Sequence, residues 1–367
     1  MKRNLVFLLL IALLTSSCYS PSTRLFIGSF TKNPGDKGMS VYDFNQKNGT
    51  IKLVSQSDVG PNPSYFCFSQ EKNLFYVANE VTEFQGTAGG GLSTFKFDPE
   101  SGTFQKEGEM AIPYGGPCFI SLSPDSGHIF MANYPHGSVA VIRLSDKGIP
   151  ERITDTILYV KDNPEASHAH MIKNDPAGKM IYVTDLGLDR IIRYEFDVNE
   201  GKLHPFDTLN VPKGLGPRHF DFSNDGSFLY VINELGSKIT VFSLQEKKPE
   251  LIQIVSTLKD GTQGKSFCAD IHMTNDGKFI YGSNRGENSI VTFSVQPDGT
   301  LKLAGHTTCG GNWPRNFTLD PSNSFILAGN EKSDSIAIFR IDQKSGLPLE
   351  PGVRYAVAAP GCLKFYR

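Results

Sequence analysis

Ser227-Phe-Leu-Tyr-Val-Ile-Asn233 and Lys278-Phe-Ile-Tyr-Gly-Ser-Asn284 are two copies of one phrase. Four further copies read Asn73-Leu-Phe-Tyr-Val-Ala-Asn79, His128-Ile-Phe-Met-Ala-Asn133, Lys179-Met-Ile-Tyr-Val-Thr-Asp185 and Ser324-Phe-Ile-Leu-Ala-Gly-Asn330. The copies end at positions 79, 133, 185, 233, 284 and 330, a spacing of 46 to 54 residues. A period of about 50 residues predicts small sheets stacked in an array, each too small to bury its own faces.

The flanks of each phrase have the same plan. Before it runs a short extended segment, often led by proline: Pro63-Ser-Tyr-Phe-Cys-Phe-Ser69, Pro117-Cys-Phe-Ile-Ser-Leu-Ser123, Pro217-Arg-His-Phe-Asp-Phe-Ser223 and Pro314-Arg-Asn-Phe-Thr-Leu-Asp320. After it comes a third strand, as in Lys238-Ile-Thr-Val-Phe-Ser243 and Ser289-Ile-Val-Thr-Phe-Ser294, then a less regular fourth. Aromatic and β-branched runs split by turns such as Asn224-Asp-Gly226 and Asn275-Asp-Gly277 argue antiparallel hairpins. Leu25-Phe-Ile-Gly-Ser29 and Met39-Ser-Val-Tyr-Asp-Phe44 match the second and third strands but lack a first, which Pro360-Gly-Cys-Leu-Lys-Phe365 supplies. The expected fold is therefore all-β. It is a seven-bladed β-propeller of four-stranded antiparallel blades over residues 23–367, closed by a blade shared between the N- and C-terminal strands. The stretch from Glu83 to Gly91 reads as an inserted loop.

The chain starts differently. Lys2 and Arg3 precede an apolar run from Leu5 to Leu14, followed by Thr15-Ser16-Ser17-Cys18. This reads as a signal peptide over residues 1–17, and the run is too short to span a bilayer. Cys18 resembles a lipobox cysteine, although Thr15 stands where an aliphatic residue is usual. Residues 18–22 would form a short tether, placing an exported protein at the cell envelope, with a lipid at Cys18 as its one membrane contact. A net charge of −2 offers no pull toward nucleic acid. The other cysteines, Cys67, Cys118, Cys268, Cys309 and Cys362, are odd in number and lack C-x-x-C spacing, so buried free thiols are expected.

Repeats make equivalent positions comparable. The recurrent Asn, and Tyr76, Tyr182, Tyr230 and Tyr281, are what the fold reuses: a turn-bonding amide and an inter-blade ring. Two positions vary instead. The position after the leading proline, counted back from the phrase in each blade, holds Ser64, Cys118, His170, Arg218, Ala269, Arg315 or Gly361, and it should line a wet central channel. The residue after the recurrent Asn or its substitute is Phe30, Glu80, Tyr134, Leu186, Glu234, Arg285 or Glu331, at one mouth of that channel. His170, Arg218, Glu234 and Arg285 come from consecutive blades and should converge. His168 and His170, two apart, should share a strand face and could hold a metal, but no third ligand stands at clear spacing. Arg218 with Glu234, and Arg315 with Glu331, also read as structural ion pairs. His219 and His272 read as core histidines. Trp313 either stacks on a sugar ring or caps a blade.

At Ser167-His-Ala-His170, Gly216-Pro-Arg-His219, Val231-Ile-Asn-Glu234 and Ser283-Asn-Arg-Gly286 the sequence resembles the lactonase family of seven-bladed propellers. That family includes the propeller-type 6-phosphogluconolactonases and the carboxy-cis,cis-muconate cyclases. The resemblance implies a lactone hydrolase whose catalytic residues are His170, Arg218, Glu234 and Arg285, with no metal or organic cofactor. The substrate would be a small lactone or sugar acid. His168, Arg315, Trp313 and Glu331 are expected to contact it. A histidine near neutral pKa suits a general base, and an arginine suits a developing oxyanion. An export signal argues for a non-phosphorylated lactone. A muconate-type cycloisomerase and a non-catalytic binding or scaffold propeller remain open alternatives. Oligomeric state is not legible.

Overall fold

The computed structural model describes residues 23–366 except 34, 164–165, 247 and 351. The signal segment, Cys18 and the tether lie outside the described residues. Seven four-stranded antiparallel sheets follow one another around a ring. The blade shared by the two chain ends orders its strands as Ile51–Ser57, Met39–Phe44, Thr23–Ser29 and Pro360–Tyr366. The inner strands of blades two to seven are Pro63–Ser69, Pro117–Leu122, Ala169–Asn174, Pro217–Phe222, Phe267–Met273 and Pro314–Leu319. The described residues contain no α-helix.

The repeated phrase forms the second strand of each blade and is buried throughout most of its length. Such strands are sandwiched between neighbouring blades, which explains their near-continuous apolar runs. Three of the repeated tyrosines clamp blade to blade. Tyr76, Tyr230 and Tyr281 donate their hydroxyls to the carbonyls of Gly148, Gly299 and Gly346, at 2.8, 3.0 and 2.7 Å. Tyr182 instead faces Arg193, whose Nη1 lies 3.4 Å from its hydroxyl. Two of the recurrent amides bond backbone carbonyls at the ends of the preceding outer strands, Asn284 Nδ2 to Thr257 at 2.9 Å and Asn330 Nδ2 to Cys309 at 3.0 Å, whereas Asn233 Nδ2 bonds the Val231 and Lys238 carbonyls of its own blade.

Ring closure rests on an aromatic cluster as well as on the ladder between Thr23–Ser29 and Pro360–Tyr366. Tyr366 stacks on Phe75 with centroids 5.9 Å apart, and Phe26 packs edge-on against Phe97 at 4.9 Å. Burying each ring contributes about 1.5–3 kcal/mol.

The segment after Glu83 departs from the expected loop. Glu83–Phe84 and Thr87–Ala88 pair as a small hairpin. Gln85 and Gly86 turn it with φ of 54° and 72°, as a two-residue turn of positive φ requires. Phe84 is buried and anchors the hairpin.

The feature that builds the site is a bulge. In blades two, three, four, five and seven the inner strand skips one residue in its pairing, namely Ser64, Cys118, His170, Arg218 and Arg315. The shared blade skips Gly361, and blade six loses register across Ala269 and Asp270. A bulge adds a residue and re-aims side chains at the end of a ladder.

Candidate active site at the channel mouth

The backbone holds the two variable positions at one mouth. The amides of Glu80, Tyr134, Leu186, Glu234 and Glu331 donate to the carbonyls of Asn62, Gly116, His168, Gly216 and Trp313, the residues just before the inner strands. Each second strand therefore ends beside the bulge of its own blade.

Three arginines and three glutamates interlock there. Glu234 Oε2 lies 3.0 Å from Arg218 Nε and 2.9 Å from Arg285 Nη2. Arg315 sits between Glu80, at 3.6 Å, and Glu331, at 3.8 Å. The latter two contacts are beyond hydrogen-bonding range, so Oε2 of Glu80 and Oε2 of Glu331 are buried without a donor. Burial and the charge of Arg218 lower the Arg285 pKa to about 10. Burial alone would also lower that of Arg315, but Glu80 and Glu331 raise it above the ordinary value.

His170 is buried, with 4 % of its surface exposed, and its Nδ1 has no hydrogen-bond partner. Its ring meets His219 edge-on at 5.0 Å and Tyr134 at 5.6 Å. Burial, then Arg218, His219 and the other arginines, hold its pKa well below that of a free imidazole. His170 is therefore neutral at neutral pH and able to accept a proton. Arg218 Nη1 donates to the Ala269 carbonyl at 2.5 Å. Its Nε lies 3.0 Å from Glu234 Oε2 but is buried without a hydrogen-bond partner among the described residues.

The rim is half-buried. Tyr134 stacks on His168 at 4.5 Å, and His168 Nδ1 lies 3.0 Å from the Tyr134 carbonyl. Trp313 lies under the Arg285 guanidinium at 5.4 Å and the Lys332 ammonium at 3.2 Å. It adopts a φ of 69°, a strained choice for a bulky side chain.

Below this layer the axis is plugged rather than wet. The cavity between Ser64, Cys118, Arg218, Arg315 and Gly361 measures about 10 Å³, at most one water. Tyr65, His219 and Asn316, each the next residue of its inner strand, also line it, and Phe119 and Asp270 pack against His219. Among the described residues no group of three or more His, Cys, Asp or Glu could hold a metal ion.

Residues 24–365 match the family described as "Lactonase, 7-bladed beta-propeller". The chain belongs to the lactonase family of seven-bladed β-propellers. Among lactonase relatives, a 6-phosphogluconolactonase from Formosa agariphila is 32% identical over 333 residues, covering 88% of this chain and 93% of the relative. One from Bacillus subtilis is 27% identical, covering 93% and 97%. The periplasmic gluconolactonase structure of Pseudomonas aeruginosa superposes with a TM-score of 0.87 at 30% identity, covering 94% of this chain and 99% of that one.

In this lactonase the structure brings His170, Arg218, Glu234 and Arg285 to one mouth, with Arg315, Glu331, Trp313 and His168 around them. His168 does not share a strand with His170. It precedes the inner strand Ala169–Asn174, and the bulge at His170 breaks the alternation on which an i, i+2 pair depends. Sequence comparison placed Glu80 and Tyr134 at the mouth but did not select them. It missed Asp270 and Asn316 altogether. Their signal was available one residue beyond the compared position, where three consecutive blades carry His219, Asp270 and Asn316 and the other four do not carry a charged or amide side chain.

Proposed function

We propose that this lactonase hydrolyses a neutral, polyhydroxylated sugar lactone at the channel mouth. The observation that carries this reading is a buried imidazole, His170, beside a buried guanidinium, Arg218, both packed against His219.

Hydrolysis requires a proton taken from water as its oxygen bonds the lactone carbonyl carbon. His170 accepts that proton. The carbonyl oxygen gathers negative charge, which the Arg218 guanidinium stabilises from a fixed position. The C–O bond to the ring oxygen then breaks, and the proton on His170 passes to that oxygen, giving the open hydroxy acid. Glu234 holds Arg218 and Arg285 through its single Oε2 contact point.

The charge balance supports a substrate without phosphate. Each arginine already faces a carboxylate, so a dianionic phosphate would enter beside three glutamates. The donor-free oxygens of Glu80 and Glu331 suit sugar hydroxyls instead. Likeness to a periplasmic gluconolactonase supports the same reading, as does the amino-terminal signal pattern, which argues for export with lipidation at Cys18. No helix among the described residues is long and apolar enough to cross a membrane.

The test is acid release from glucono-δ-lactone and from its 6-phosphate, followed by pH-stat. Turnover above the spontaneous rate, faster on the neutral lactone and lost in Arg218→Ala, is expected. Equal rates for wild type and Arg218→Ala would overturn the reading.

A further inference from the structure

We propose that Asp270 is a positioning residue that aims Arg218 by fixing the tautomer of His219. The proposal rests on the lactonase reading of Arg218. Asp270 is buried with 1 % exposure in the bulge of blade six, and its side chain is fully satisfied. Oδ1 accepts from His219 Nδ1 at 2.7 Å and from the Ile271 amide at 3.1 Å. Oδ2 accepts from His272 Nε2 at 3.0 Å, from the Asn316 amide group and from the Phe317 amide.

An ionised carboxylate only accepts hydrogen bonds, so the His219 proton must sit on Nδ1. Nε2 is then a lone pair, and it faces Arg218 Nη1 at 3.5 Å. Arginine only donates, so this tautomer is the one compatible with Arg218 where it stands. The other tautomer would set N–H against N–H and push the guanidinium off its place, which the Ala269 carbonyl and Glu234 otherwise define. The same bulge thus supplies both the carbonyl that Arg218 Nη1 binds and the carboxylate that orients its second acceptor. Tyr65 and Phe119 close on the His219 ring at 6.1 and 5.5 Å, so it has little freedom to turn.

The titratable and charged groups facing this unit are Arg218, His170, His272, Tyr65 and Cys362, with Asp221 and Lys173 beyond His272. His272 shares Asp270 but lies 35 % exposed on the far side, away from Arg218, which makes it the internal control.

The experiment compares Asp270→Asn, His219→Gln, their double variant and His272→Gln in the full chain, on glucono-δ-lactone. Asp270→Asn and His219→Gln should each lower kcat about thirtyfold, and the double variant no further, because partners in one unit are non-additive. His272→Gln should stay within about threefold of wild type, as expected for a group outside the unit. Additive losses in the double variant overturn the proposal, as do equal losses in His219→Gln and His272→Gln. The last comparison decides the matter if Asp270→Asn does not fold. Nitrogen NMR of His219 gives a readout independent of turnover. A neutral Nδ1–H ring in wild type is expected, and an Nε2–H ring overturns the proposal. A wild type with that Nδ1–H ring but no lactone turnover would refute the lactonase reading instead.

Discussion

The Oε2 atom of Glu234 lies 3.0 Å from Nε of Arg218, and the same oxygen lies 2.9 Å from Nη2 of Arg285. Two guanidiniums from adjacent blades are thus held at one point by a single carboxylate. Glu234→Gln keeps the shape and removes the charge, leaving two buried cations facing each other. Removing one partner of a buried pair costs about 3–5 kcal/mol. The solvent contact of Glu234 reduces that cost, so a drop of several degrees in Tm is expected, with kcat lower by about 10- to 100-fold. Calorimetry and pH-stat rates check both.

His170→Ala should lower kcat on the order of 10²- to 10⁴-fold, the usual contribution of a general base. KM should change little, because the imidazole acts on the attacking water. Steady-state kinetics on glucono-δ-lactone separate the two parameters.

The pH profile follows from the environment of His170. Burial and the arginines hold its pKa well below the ordinary 6.5. A base with a lowered pKa is unprotonated above that pKa and loses activity only as pH falls through it. The rate should therefore stay level from neutral pH down through 6.5 and fall at lower pH. A half-maximal point at 6.5 would show that His170 is not the group titrating.

Specificity should respond to the carboxylates around Arg315. Replacing Glu80 and Glu331 by Gln removes two negative charges and leaves Arg315 unpaired. The preference for the neutral lactone over its 6-phosphate should shift toward the phosphate by about tenfold or more, equivalent to about 1.4 kcal/mol. Paired kcat/KM measurements on the two substrates report the shift.

Ring closure is testable at Phe26, which packs against Phe75, Phe97 and Tyr366 at 4.6, 4.9 and 5.7 Å. Phe26→Ala should cost about 3–5 kcal/mol in urea unfolding. Tyr366→Ala removes a more exposed ring from the same cluster and should cost less.

The number of blades, their strand order and the shared closing blade were all legible in the sequence. Local patterning carries them: an apolar phrase recurs because every second strand is buried between blades in the same way. The positions of His170, Arg218, Glu234 and Arg285 at one mouth were legible for the same reason, since repeats make equivalent residues comparable. The charge pairing was not. Arg315 faces Glu80 across the gap between the last and the second blade, 235 positions away in the chain, and only closing the ring brings them within 3.6 Å. Nor was the plug legible. A channel read from blade geometry alone should be open, but at the bulges of three blades two successive side chains, Ser64 and Tyr65, Arg218 and His219, Arg315 and Asn316, crowd the small central cavity. The sequence thus determined the ring and which residues face its mouth. Only the tertiary structure decided that Glu234 is shared by two arginines and that Asp270 stands behind His219, because these contacts join blades whose separation in space no local pattern encodes.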